Sequence, residues 1–289
     1  MVAMPLPLCP ADILVISGAD ASAFMHGQFT NDVDTLAPGR WHWNAWLDPQ
    51  GRVRHFFALL HPQPGRWLVW LPLGGGAAMR EALVRFVLRA AVRIDDTPDW
   101  MLHRLGAGDS PASLAADELH DQDGGLVLRQ PAGLAWLAPA ANSTPDAEAL
   151  AAWRLAEARA RLPLLAPALT GEFVAQALEL DRLGALRFDK GCYPGQEIVA
   201  RLHFRGGNKR QLRRLAIHGL PPAPGTRLSG AGGRSVGTLL YAASANPQRS
   251  EGLGVLAEAG AATGELSAGG CRVELIDGPK PPAPGTPAA

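Results

Sequence analysis

Residues 190–197 read Lys190-Gly191-Cys192-Tyr193-Pro194-Gly195-Gln196-Glu197, which places a thiol, a cation and an amide–acid pair within eight positions. These types suit a nucleophilic or redox thiol. A proline such as Pro194 fits the first turn of a helix, where its missing N–H costs nothing, and Glu197 then falls near the positive end of the helix dipole. Cys192 stands just ahead of that expected helix, with Lys190 and Arg187 nearby in sequence, and both a helix N-terminus and neighbouring cations favour a thiolate. Cys192 is therefore the candidate functional thiol, and Lys190 its candidate cationic neighbour. A buried structural cysteine is the alternative reading.

A second cluster with chemical potential spans 201–214: Arg201, Arg205, Lys209, Arg210, Arg213 and Arg214 with His203, and no Asp or Glu. Such a run forms a site for carboxylates, phosphates or RNA, or else a solvated strand face alternating with Leu212 and Leu215. Over the whole chain Lys+Arg and Asp+Glu are both 27, so any attraction to an anion must be local. Trp41, Trp43, Trp46, Trp67 and Trp70 fall in a strand-like region and read as sheet-face or core residues. Trp153 stands alone on a helical stretch, as core or as a platform for an aromatic ligand. The eight histidines never take a metal-ligand spacing, and no G-x-S-x-G elbow points to hydrolase chemistry. Gly74-Gly75-Gly76 lacks the Lys-Ser/Thr of a phosphate loop and reads as a flexible start to a helix.

The elements that must position these residues follow from periodicity. An apolar strand over 13–18 leads to a helix over 21–29; period-two alternation from 41 to 46, a turn at 48–51, and apolar runs at 53–60 and 67–71 form an antiparallel meander. Met79, Leu83, Phe86 or Val87, and Ala90 make one helical stripe. Strands are expected at 92–94, 101–105, 126–129 and 134–138, with a helix over 111–120, a loop with capping residues at 142–146, and a helix over 147–161. Beyond 208, short strands between Gly/Pro turns mark a small barrel or sandwich. Helices and antiparallel strands mix without βαβ alternation, so the fold class is α+β rather than a doubly wound dinucleotide fold.

Length and composition set the outer bounds. A chain of 289 residues with 47% hydrophobic and 19% charged residues is an ordinary globular protein of about two or three domains. Cys9, Cys192 and Cys271 are odd in number with no C-x-x-C pair, so a reducing compartment is expected rather than a disulfide framework or a self-contained zinc or iron–sulfur site. No apolar run approaches the roughly 18 residues that span a bilayer. The first ten residues lack the basic region of a signal peptide. The expected location is the cytoplasm, and 278–289, rich in Pro, Ala and Gly, reads as a disordered tail.

The octapeptide at 190–197 resembles the signature of the YgfZ-type folate-binding proteins, relatives of the glycine-cleavage T-protein, an aminomethyltransferase. Ile16-Ser17-Gly18-Ala19-Asp20, Gly27-Gln28 and Thr30-Asn31-Asp32-Val33 are similar to that family's opening strand and helix, and Phe204-Arg205-Gly206-Gly207-Asn208-Lys209-Arg210 to the segment after its signature. The resemblance implies folate-binding-like α+β domains with mixed antiparallel sheets and a C-terminal small β-barrel around a central opening that binds tetrahydrofolate. Its implied layout is a folate-binding-like part at 1–38 plus 140–205, an inserted α+β part at 39–139, and a barrel at 206–277. It implies support of iron–sulfur enzymes, including those that thiolate tRNA, with Cys192 as the essential residue, acting as nucleophile, redox thiol or transient ligand. Trp153 matches a family tryptophan near the folate, whereas a second aromatic of that site falls at about Ala11. Tyr193, Gln196 and Glu197 belong to the implied cofactor-binding set, with Arg205, Lys209 and Arg210 as cations for the folate's glutamate tail. The T-protein's pair of acids is matched by Gly51-Arg52-Val53-Arg54-His55, so the carboxylate that manages aminomethyl transfer is missing. A folate-dependent one-carbon transferase and a tRNA-binding module are the alternative functions.

Overall fold

The computed structural model describes residues 5–97, 99–106, 114–140, 144–258 and 265–277. Its elements in chain order are β1 (Leu6–Pro10), β2 (Asp12–Ser17), α1 (Ala21–Gln28), β3 (Arg40–Leu47), β4 (Val53–Gln63), β5 (Arg66–Leu71), α2 (Gly76–Val84), β6 (Arg93–Asp96), β7 (Trp100–Arg104), β8 (Leu119–Gln122), β9 (Gly125–Gln130) and β10 (Gly133–Pro139). They continue with α3 (Ala147–Arg159), α4 (Gln196–Arg205), β11 (Arg210–His218), β12 (Arg227–Ser229), β13 (Ser235–Asn246), β14 (Arg249–Ala257), β15 (Leu266–Ala268) and β16 (Cys271–Leu275). The strands form one five-stranded sheet in the order β3-β4-β5-β2-β6, a second in the order β1-β7-β10-β9-β8, and a closed six-stranded barrel, β11-β14-β13-β12-β15-β16. This is the α+β fold expected, with the C-terminal barrel. Strand β2 pairs with β5 and β6, so segments 1–38 and 39–139 share a sheet.

Period two explains how the first sheet is buried on both faces. Trp41, Trp43, Ala45 and Leu47 project to one side of β3 and join the largest core, which reaches the second sheet, α3 and the barrel residues Leu240, Tyr241 and Leu253. Trp46 projects to the other side, into a core closed by Ala21 and Met25 of α1 and Met79 and Leu83 of α2. The barrel has its own interior of Leu215, Ile217, Leu228, Leu239 and Leu256. No helix among the described residues is long and apolar enough to cross a membrane.

Two sequence expectations are corrected, and one strand appears that periodicity did not mark. The helix expected over 111–120 is not formed in its described part: 119–122 is strand β8, an edge strand paired with β9 through a two-residue turn at Asp123-Gly124. Both turn residues have positive φ, 50° and 76°, and Asp-Gly of this kind is a strong hairpin signal that overrides the helical look of the preceding alanines. Residues 111–113 lie outside the described residues. Helix α2 stops at Val84, and 86–90 continue as tight turns, leaving Leu88 at 87% exposure and setting Phe86 edge-on against Trp46 at 5.9 Å. Strand β1, unmarked by periodicity, carries Pro7 and Pro10; as an edge strand paired only with β7 it tolerates residues without an N–H. Expectations for Asn142, Ser143 and the 278–289 tail fall outside the described residues.

Candidate functional site

Local sequence builds the 190–197 loop from two fixed ends. At the first, Lys190 is half-buried and its Nζ donates to the carbonyls of His26, Phe29 and Asn31 at 2.6, 2.7 and 3.0 Å. Three carbonyls take the three protons of one ammonium. Burial pulls its pKa down to about 8 while Asp32 and Asp34 work against that, and the three acceptors fit the charged form. The anchored segment is itself rigid: the Asn31 amide donates to Trp43 O and Gly184 O, and the Thr30 hydroxyl to Ala185 O. Tyr193 follows as a buried ring, 5.2 Å from Lys190 Nζ, its hydroxyl donating to Arg187 O at 3.2 Å.

At the second end stands Gly195, the N-cap of α4, with φ 78°. A Cβ there would lie 2.5 Å from Asp48 O and 2.8 Å from Gly51 Cα, so the helix start is pressed against the β3–β4 turn, where Gly51 also takes a positive φ of 74°. Ile198 packs on Gly51, and the Gln176 amide donates to Val199 O at 2.7 Å. Gln196 and Glu197 form the first turn of α4, with Glu197 exposed at the dipole's positive end. Pro194 thus precedes the cap instead of occupying the first turn, because the conformation the cap requires is one only Gly195 adopts without strain.

Between the ends, Cys192 is exposed and unpaired. Of the cations expected to act on it, Lys190 keeps its charge while bonded to the three carbonyls, and Arg187 makes a bidentate pair with Asp189 at 2.8 and 2.9 Å. Cys9 is a contrast, its thiol pushed up chiefly by burial, with Arg154 opposing.

The basic run divides by burial. Arg213 is buried and pairs with Asp277 at 3.0 Å, and Arg214 reaches Glu251 at 3.5 Å. Arg205, Lys209 and Arg210 are exposed. Trp153, by contrast, is 5% exposed in the main core, 6.5 Å from the ring of Trp70, so the structure separates it by depth from those three cations and from the exposed thiol. Ala11 is buried in the same core.

One turn beyond Trp153 on α3 lies Glu157, a residue that sequence reasoning missed. It has no exposed surface, and neither carboxyl oxygen has a hydrogen-bond partner among the described residues. Burial drives its pKa up to about 8; the Ala132 backbone favours the charged form without making a hydrogen bond of acceptable geometry. On β9, Gln130 is 3% exposed with both amide atoms unpartnered among the described residues, and on α3 Arg154 Nε is unpartnered among them as well. Tyr241 of β13 feels both Glu157 and Arg154 and donates its hydroxyl to Leu162 O. Buried polar atoms are normally satisfied by protein, water or ligand, and the Glu157 carboxyl finds no such partner among the described residues. The available signal was the spacing: Ala149, Trp153 and Glu157 are four apart on one helix face, and a carboxylate on a buried stripe is out of place there. On β4, the Arg54 guanidinium lies 4.5 Å over Trp46, and His55 stacks on the same ring with its pKa pulled down to about 4 by burial and then by Arg54.

No family model matches the chain. It is 30% identical over 237 residues to the tRNA-modifying protein YgfZ of Enterobacter sp. (strain 638), covering 74% of this chain and 72% of that protein. The Escherichia coli (strain K12 / DH10B) protein of the same name is 30% identical over 241 residues, again 74% and 72%. Among solved structures, aminomethyltransferase T of the glycine cleavage system from Bartonella henselae superposes with a TM-score of 0.60 at 16% identity, covering 93% of this chain and 83% of that one, and so shares the fold. With that fold, and with identity of this extent over most of its length, the chain belongs to the YgfZ family of tRNA-modifying proteins.

Proposed function

We propose that this protein binds tetrahydrofolate against the Trp153–Glu157 face of α3 and presents Cys192 to iron–sulfur enzymes, including tRNA-modifying ones, as an accessory to their assembly or repair. The observation that carries the reading is the buried, unpartnered carboxyl of Glu157. A reduced pterin offers an adjacent ring N–H and amino group, two donors in a row, and a carboxylate offers two acceptors in a row. Gln130, with an amide donor and acceptor both open, suits the mixed polar edge that remains, and Trp153 supplies apolar surface. When bound, the folate supplies a one-carbon-carrying nitrogen pair and a reducing pterin.

The protein's own groups do the rest. Glu157 orients the ligand and gives up its proton on pairing. The 190–197 loop, pinned by Lys190 and Gly195, holds an exposed thiol outward, where a partner's iron or sulfur can reach it. Arg54 and His55 stand where the resemblance matches the transferase's acids, so the only carboxylate this reading gives the folate is Glu157, which orients it, and the accessory role is favoured.

Anaerobic calorimetric titration with tetrahydrofolate tests the binding half. Saturable binding should weaken about ten- to hundredfold in Glu157→Gln, the cost of losing hydrogen bonds to a charged group. Equal affinity in parent and variant overturns the assignment. For the thiol, Cys192→Ala should fail to restore tRNA modification in bacteria lacking their own relative; full restoration removes Cys192 from the function.

A further inference from the structure

Neither the folate reading nor the thiol uses a ring cluster at the end of α4. Phe188 and His203 stack with centroids 4.3 Å apart and planes 25° from parallel, and Phe204 stands edge-on to them at 5.7 and 4.9 Å. Phe188 packs against the main core and anchors the group, while Phe204 remains 73% exposed. A large aromatic held this far out of the core adds little to folding, yet its neighbours fix it as a preformed π surface.

Cations surround it. Arg201 and Arg205 lie one turn apart on the same helix and bracket Phe204 in sequence, and Lys209 and Arg210 follow just past Gly206 and Gly207. All four are exposed, and none makes an ion pair among the described residues, unlike Arg213 and Arg214. No acid occurs in the sequence between Glu197 and Glu251. Glu258, whose N–H donates to Lys209 O, and Asp189, next to Phe188, are the neighbouring acids, yet neither pairs with these four cations among the described residues, so the surface joins aromatic faces to unpaired positive charge.

We propose that this face binds unpaired nucleotides of a nucleic-acid strand, a base stacking on Phe204 and His203 and flanking phosphates meeting Arg201, Arg205, Lys209 and Arg210. Stacking platforms combined with a cationic track are how single strands are held without sequence readout. A carboxylate ligand or an acidic protein segment would use the cations and leave the three rings idle. A duplex would present phosphates but keep its bases stacked inside. Phe188 lies four residues before Cys192, so a strand held here occupies the same surface segment as the thiol.

Fluorescence anisotropy with a short, labelled, non-self-complementary oligoribonucleotide, its deoxy counterpart and its duplex tests the proposal on the full chain. The single strand should bind more tightly than the duplex, and the two single-stranded arms show whether ribose matters. Phe204→Ala should weaken single-strand binding about five- to 150-fold, the usual loss for one stacked base, and Phe204→Trp should restore it. Arg201→Gln combined with Arg205→Gln should flatten the slope of log affinity against log salt by about 1.4, roughly 0.7 for each lost phosphate contact. No measurable affinity, duplex binding as tight as single-strand binding, or an unchanged Phe204→Ala variant overturns it. The inference stands apart from the folate reading: Glu157→Gln should leave oligonucleotide binding intact, and Phe204→Ala should leave tetrahydrofolate binding intact. If Phe204→Ala instead loses folate and keeps the oligonucleotide, this proposal falls and the folate reading stands.

Discussion

At the scale of single residues, Glu157 is an energetic anomaly. A carboxyl with no exposed surface and no hydrogen-bond partner among the described residues stays in the fold by keeping its proton, hence a pKa near 8. Because the folded value is raised above the unfolded 4.5, the folded state binds the proton more tightly. The stability this gives is fully present below the unfolded value and is lost as pH rises through about 8. At neutral pH the cost is on the order of 3 kcal/mol, so Glu157→Gln should melt higher than the parent at pH 8 and level with it in acid. Thermal melts across that range check this, and identical pH profiles would dismiss it. Ligand linkage has the opposite sign: a pterin that prefers the carboxylate should bind about tenfold more tightly per pH unit on approach to pH 8, a dependence that Glu157→Gln abolishes.

At the level of elements, the octapeptide is a strap tied at both ends, and its two glycines are not equivalent. Gly195 has positive φ and meets backbone at 2.5 Å, whereas a Cβ on Gly191 would meet only the His26 ring at 3.5 Å, an ordinary contact. Gly195→Ala should therefore cost more than about 1 kcal/mol and shift the start of α4, while Gly191→Ala stays within about 0.5 kcal/mol of the parent. Chemical denaturation of both variants decides the point, since equal losses would contradict the close approach. The helix after the motif and the acid in its first turn were legible in the sequence. That the cap would be Gly195 was not, because the contact that demands glycine comes from the β3–β4 turn, well over a hundred positions earlier.

For the whole molecule, charged contacts join the barrel to the rest. Asp277, just after β16, pairs with Arg161 at the end of α3 and with buried Arg213 of β11, and Arg161 also pairs with buried Glu179 at 3.1 Å. Glu251 of β14 takes a bidentate pair from Arg159 at 2.9 and 3.1 Å, which holds its pKa down. Asp277→Ala removes one carboxylate from two arginines at once, one of them buried, so it should lose about 3 kcal/mol, far more than an exposed pair such as Arg85–Glu81 would. A denaturation midpoint unchanged in Asp277→Ala would show that the Asp277 pairs do not hold the barrel in place.

By itself the sequence determined the α+β class, the barrel strands, the meander and the thiol-bearing loop, since each rests on local periodicity, turn chemistry or a contiguous motif. Only the tertiary structure decided which polar groups lack partners among the described residues, which arginines of one basic run are spent on Asp277 and Glu251, and that the Lys190 ammonium is held by three carbonyls of the 26–31 segment. These are properties of neighbours distant in the chain. Burial and hydrogen bonding are fixed by packing between α3, the second sheet and the barrel, so Trp153 and Glu157 acquire their meaning only once those surfaces meet.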